Sequence, residues 1–285
     1  INIFDYNDIE GLEQIIEDNP NQIAAIVLEP TIFEKPQKDF LKKVRKIADK
    51  NNTVLILDEI VTGFRFDIGG AQKYFDIKGD LVCFGKGMGN GLPIAAITGP
   101  TEFMKKFDDL WVSSTNNPET LSMAGTKAVI NEMKEKNTIS HCWKIGTKLF
   151  NNWNRITEQN NLNIKMIGYP VRMKIECKNS QNEISESLKA LVLQEMVKNG
   201  IFFPPGQCFL SYSHSDNDVM HTLQTLENVC REIKNKVKAV ETELKRKDSK
   251  GWSSKGWTWD KVVKEYIEGG VRKDFATQVV DAFFP

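Results

Sequence analysis

The sequence predicts an α/β fold built on a mainly parallel sheet, followed by a smaller α+β domain. Three observations carry this expectation. Almost continuous apolar runs at residues 22–28 and 53–57 flank a stretch of helical period, and strands buried on both faces read that way. Strand, helix, strand in this order calls for a right-handed crossover between parallel strands. From Ile164 onward the texture changes to short strands separated by one amphipathic helix.

Within residues 5–19, Ile9, Leu12, Ile15 and Ile16 recur every three to four positions, with Asn7 or Asp8 able to cap the helix. The strand at 22–28 follows. Residues 38–50 form a helix with Phe40, Leu41, Val44, Ile47 and Ala48 on one side. The next strand, Thr53-Val54-Leu55-Ile56-Leu57, runs into Asp58-Glu59, and the short run Leu81 to Phe84 runs into Gly85-Lys86. A helix is expected over 116–135 with Leu121, Ala124, Ala128, Val129 and Met133 as its apolar residues, and helical period continues over 141–159. Short strands are expected at 164–167, 171–176 and 201–203, with a helix at 185–199 stopped by Gly200. A last amphipathic helix spans 216–236, capped by Ser215 or Asp216. The charged segment 243–251 reads as a linker, and 260–268 as a helix-like stretch. The expected domains are 1–135, 136–240 and a tail, 241–285, read as a linker and the start of a further domain.

Lysine plus arginine balances aspartate plus glutamate at 38 each, so no net field draws the chain to nucleic acid or to an anionic membrane. Small molecules or another subunit are the expected partners. The five cysteines, Cys83, Cys142, Cys177, Cys208 and Cys230, are scattered without metal-ligand spacing, which favours a reducing cytoplasm and no metal site. No charged-then-apolar leader precedes Ile1-Asn2-Ile3, and no apolar run approaches the ~20 residues that span a bilayer. A soluble protein cut from something longer is expected.

In an open parallel sheet, ligands bind beyond the carboxyl ends of the strands. Glu29, Asp58 and Lys86 all fall at such ends. A carboxylate where an apolar run stops is costly unless a cation meets it. A lysine set between glycines, Gly85-Lys86-Gly87, can approach a planar ligand closely. Together, Asp58 and Lys86 point to a site for an aldehyde cofactor: the acid keeps a ring nitrogen protonated and the amine forms a Schiff base.

The motifs Asp58-Glu59-Ile60-Val61-Thr62-Gly63-Phe64-Arg65, Gly69-Gly70-Ala71-Gln72 and Asp80 through Pro93 resemble the class III pyridoxal-phosphate aminotransferases, in particular the glutamate-1-semialdehyde aminomutase branch. Ile26-Val27-Leu28-Glu29-Pro30 and Phe209 through Asp216 extend the resemblance upstream and downstream. It implies a fold-type-I enzyme, aspartate aminotransferase-like, with residues 1–135 as part of the large cofactor-binding domain and 136–240 as the small domain. The cofactor implied is pyridoxal 5′-phosphate. Lys86 would be the Schiff-base lysine and proton carrier, and would have to be neutral in both acts. Asp58 would face the pyridine nitrogen, and Ile60 would pack on one ring face. Thr115 would reach the cofactor phosphate of a neighbouring subunit, which implies a homodimer with shared sites. Glu29 would contact the substrate amine or merely cap. Arg65 and His214 fall in matched motifs and are better read as structural. The implied substrates are a small amino donor and a carbonyl acceptor.

Departures from the pattern are informative. Val61 cannot hydrogen-bond a ring hydroxyl, and the aminomutase branch is also apolar there. Pro118, Glu119 and Thr120 replace that branch's glycine, asparagine and proline, and Glu119-Thr120-Leu121-Ser122 is more like relatives that accompany surface-sugar pathways. In the ω-aminotransferases the glutamate matching Glu29 can pair with an arginine, and the corresponding region here, Pro204 through Phe209, holds none. The family's phosphate loop and stacking aromatic belong to a segment ahead of Ile1. Three alternatives to amino transfer between molecules stand beside it: intramolecular aminomutation of a semialdehyde, an inactive dimerisation module, and a nucleotide-binding module. For the last, the glycine-rich run from Gly85 to Gly91 lacks both the P-loop ending and the dinucleotide spacing.

Overall fold

The computed structural model describes residues 1–110, 119–179 and 182–248, with side chains described as far as residue 235. It divides into two compact units, Ile1–Cys142 and the part beginning at Trp143.

The first unit holds a four-stranded sheet in the order β1-β2-β3-β4. β1 (Ala25–Leu28), β2 (Val54–Glu59) and β3 (Leu81–Phe84) run parallel, and β4 (Ala96–Thr98) pairs antiparallel with β3. The mainly parallel sheet expected from the apolar runs is present. β4, three residues long, was beyond any periodicity argument. Helices α1 (Ile9–Asp18) and α2 (Phe40–Lys50) lie on one sheet face, where Ile9, Leu12, Phe40, Leu41, Val44 and Ala48 close over Ile26, Leu55, Leu57 and Val82. Between the two cap candidates of α1, Asp8 is the one used: its carboxylate accepts from Gly11 N–H at 2.9 Å. Along β2 burial alternates, with Leu55, Leu57 and Glu59 buried and Val54, Ile56 and Asp58 half-buried on the other face.

A short helix, α3 (Gly70–Tyr74), lies between β2 and β3; α4 (Thr101–Met104) follows β4, and α5 (Thr120–Glu135) closes the unit. Of the apolar residues expected to bury α5, Leu121, Ala124 and Ala128 are exposed and Val129 and Met133 are half-buried. Ser122 and Thr126 are its buried residues, with Gly125 set so closely on Leu92 that a Cβ there would collide. A side of small residues lets α5 approach the turn at Lys86–Met88.

The second unit packs α6 (Thr138–Gln159), α7 (Glu186–Lys198) and α8 (Asp216–Asp248) around an antiparallel pair, β5 (Ile164–Tyr169) and β6 (Arg172–Cys177). Trp153 is fully buried at its centre, edge-on to Phe203 with ring centroids 5.3 Å apart. α6 begins before the expected residue 141. The strand expected at 201–203 does not form. Phe203 precedes Pro204-Pro205, which lack donors and restrict the residue before them, so pairing shifts to a single bridge between Cys208 and Met173. α8 starts with a reciprocal cap: Asp218 N–H donates to Ser215 Oγ at 3.3 Å, and Ser215 N–H to Asp218 Oδ2 at 2.7 Å. The expected linker at 243–251 is helical as far as Asp248. No helix among the described residues is long and apolar enough to cross a membrane.

Candidate active site

Because β1, β2 and β3 are parallel, their carboxyl ends share one edge of the sheet. Register then fixes the neighbours there: Leu28 lies opposite Leu57, and Asp58 opposite Cys83. Glu29 follows β1, Asp58 is the second-last residue of β2, and Lys86 follows β3, so all three come to the same edge of the first unit. Thr115 lies outside the described residues.

Asp58 is half-buried on the sheet face opposite α1 and α2, and its Oδ1 accepts from the Ile60 N–H at 3.0 Å. Burial, together with the Asp58 charge, pushes the neighbouring Cys83 thiol above its usual range.

Lys86 opens a single 3₁₀ turn, Lys86–Met88, with φ of +42°. A lysine in the left-handed region is strained, and such strain gathers where function needs a side chain aimed. The turn is held by Met88 N–H to Gly85 carbonyl at 3.0 Å and Asn90 N–H to Lys86 carbonyl at 3.0 Å. The Lys86 side chain is exposed, so its amine can be reached by an aldehyde. Glycine on either side keeps the approach open. A Cβ on Gly85 would press on Ile60 Cγ2 at 3.4 Å, and one on Gly87 would meet only the Gly63 carbonyl at 3.6 Å. The same distance places Ile60 over the residue before the lysine.

Glu59, to which the sequence reading gave no role, is the most constrained carboxylate of the edge. It is fully buried, and its oxygens accept from Thr62 Oγ1 at 2.7 Å, Ala71 N–H at 2.6 Å and Gln72 N–H at 2.7 Å. Burial raises its pKa, with the Gln72, Thr62 and Ala71 donors pulling the other way. Gly70, at φ of +86°, has no room for a side chain, since a Cβ would lie 2.5 Å from Glu59 Oε1. The signal was available: Glu59 continues the buried parity of Leu55 and Leu57, and Gly69-Gly70 marks a tight helix start.

Arg65, His214 and Glu119 make local hydrogen bonds. Arg65 Nε donates to the Val61 carbonyl at 3.2 Å, and His214 Nδ1 faces Ser211 N–H at 3.0 Å within a turn. Glu119 caps α5, accepting from Leu121 and Ser122 N–H at 2.6 Å each. Glu29 is half-buried ahead of Pro30, whose carbonyl accepts from the Tyr6 hydroxyl at 2.6 Å. Among the described residues no cluster of His, Cys, Asp or Glu is arranged to hold a metal ion.

Residues 5–230 match the family model described as aminotransferase class-III. The chain is a class-III aminotransferase family member. It is 31% identical over 254 residues to the glutamate-1-semialdehyde 2,1-aminomutase of Alkaliphilus oremlandii, covering 82% of this chain and 58% of that relative. It is 28% identical over 239 residues to the 3-aminobutyryl-CoA aminotransferase of Cloacimonas acidaminovorans, covering 81% and 58%. Among solved structures, the FumI protein of Sphingopyxis sp. MTA144 matches with a TM-score of 0.76 at 22% identity, over 82% of this chain and 57% of that one. An omega-transaminase from Sphaerobacter thermophilus matches with a TM-score of 0.72 at 22% identity, over 79% and 56%. This class-III chain thus has the α/β fold of the pyridoxal-phosphate transaminases in part. It spans a little over half the length of the relatives it matches.

Proposed function

We propose that the protein to which this chain belongs is a pyridoxal-phosphate enzyme that moves an amino group from a small amino donor to an aldehyde or ketone. The observation that supports this most is the strained, accessible Lys86 at the end of β3, beside a β2 that carries Asp58 at the same sheet edge.

The residues present fit the cofactor: a carboxylate on the sheet face opposite α1 and α2, an amine flanked by glycines, and an aliphatic side chain over the first of them. Lys86 would hold the cofactor through Nζ, and Asp58 would keep a proton on its ring nitrogen. When bound, pyridoxal phosphate supplies an electron sink for the pair left behind when a proton leaves the substrate carbon. Every other act belongs to the chain. Lys86 Nζ would also take the proton from the substrate carbon bearing the amino group and deliver it to the cofactor carbon that the lysine had held. Ile60 supports one face of the ring and keeps water from it. Glu29, next to Asp58 along the edge, orients the substrate amine. Thr115 would reach the phosphate of the cofactor bound by a second subunit, and the active form would then be a homodimer with shared sites. A reducing cytoplasm suits the chain, whose five cysteines are scattered without metal-ligand spacing.

Adding the cofactor to the full-length protein is expected to give the visible absorbance of a lysine-bound pyridoxal, and Lys86→Ala to remove it. An unchanged band in the variant ends the reading. The aminomutase reading is favoured by relatives such as the Archaeoglobus fulgidus aminomutase, 32% identical over 237 residues, and by the apolar Val61. Supplying a five-carbon semialdehyde alone separates the two, because a mutase needs no second acceptor.

A further inference from the structure

Along β2 the pleat sends Asp58 and Glu59 to opposite faces. Asp58 is turned to the proposed cofactor; Glu59 is turned into the protein. A buried carboxylate costs several kcal/mol unless its lone pairs are met, and here they are met by Thr62, Ala71 and Gln72. These donors come from both ends of the loop that joins β2 to α3. The carboxylate therefore gathers that loop around itself.

The gathered loop lies against Lys86 from two sides. Glu59 is in register with Phe84, two residues before the lysine. Gly63, whose N–H donates to the Glu59 carbonyl at 2.8 Å, sits so near Phe84 that a Cβ would fall 2.5 Å from its Cδ1. The Phe64 ring lies 5.4 Å from that of Phe84, with Phe64 itself at φ of +58°. On the far side of the lysine, the Gly63 carbonyl faces Gly87. A lysine at φ of +42° is strained and persists only where its surroundings impose it.

We propose that Glu59 is a positioning residue: its buried carboxylate fixes the Thr62–Arg65 loop, and the loop holds the Lys86 backbone in the left-handed turn that aims Nζ across the sheet edge. The inference rests on Lys86 being the cofactor lysine. A plain helix cap would affect stability alone. A positioning residue must also alter how Lys86 meets the aldehyde.

The test measures, in the full-length protein, the rate at which pyridoxal phosphate attaches to the lysine and the pH at which the attached cofactor's absorbance changes. Glu59→Gln keeps the shape but turns an amide N–H₂ toward backbone donors. The expected result is a fall in attachment rate of about 10²-fold, the scale of a misplacement near 1 Å, with a shifted pH profile. Asp8→Ala is the control: it removes the cap of α1 and lowers the melting temperature while leaving rate and profile unchanged. If Glu59→Gln does not fold, Thr62→Val deletes one donor and is expected to move both readouts in the same direction, by less. Wild-type rate and pH profile in the folded Glu variant, or in Thr62→Val when that stands in for it, overturn the proposal. A wild-type protein that attaches no cofactor at Lys86 overturns instead the reading beneath it.

Discussion

Asp58 and Glu59 show how much one step along a strand decides. Both are carboxylates at the end of the same apolar run, yet one is half-buried on the sheet face opposite α1 and α2 and the other is enclosed by three donors. Their substitutions should therefore fail differently. Asp58→Asn keeps the size and the bond to the Ile60 N–H, and on the proposed role it would no longer hold a proton on the ring nitrogen. The expected outcome is retained cofactor binding with proton removal from the substrate carbon slowed by about 10²–10⁴-fold, measured as single-turnover loss of an α-deuterium label. Equal rates in variant and wild type would remove Asp58 from the chemistry. The placement of Asp58 and Lys86 at one sheet edge was legible because a charge that stops an apolar run, and a lysine between glycines, are local facts. Glu59 was not read, because its partners at Ala71 and Gln72 are joined to it only through folding.

Elements were legible in proportion to their length. α1, α2, α7 and the parallel strands repeat their apolar residues often enough to declare a period, whereas β4 and α3 have three and five residues and declare none. α5 misled in a different way. Its residues Leu121, Ala124 and Ala128 are exposed, and its buried side is made of small and hydroxyl residues chosen for close approach. The cap of α8 carries a prediction of its own. Hydrogen bonds from Ser215 N–H and Oγ hold the Asp218 carboxyl below the ordinary aspartate range. A depressed folded pKa means that the stabilisation is complete above the unfolded value and is lost as the pH falls through the folded one. Asp218→Asn is thus expected to lower the melting temperature at neutral pH and to converge with wild type in acid below the ordinary aspartate range. Parallel melting curves for the two proteins across that range would contradict it.

The two units each own a core, one around Leu55, Leu57 and Val44, the other around Trp153, Leu191 and Leu226. Loss of Trp153 should accordingly be felt in the second. Trp153→Ala empties a fully buried indole and is expected to cost about 3–5 kcal/mol, read as a fall in the denaturant midpoint of the helical signal. Trp153→Phe should cost less, because the indole N–H has no partner to lose. Equal losses would show that the buried donor matters more than the volume. The fold class was legible from the order strand, helix, strand; the strand at 201–203 was misread because Pro204-Pro205 outweighs three apolar residues.

What the molecule is for turns on where an aldehyde is caught. Reducing the cofactor-loaded, full-length protein with borohydride freezes the attachment, and mass mapping of the peptides then shows which lysine carries the pyridoxyl group. The account predicts the label on the peptide containing Phe84-Gly85-Lys86 and its loss in Lys86→Ala. A label that settles on any other lysine, or spreads evenly over the surface lysines, would contradict it.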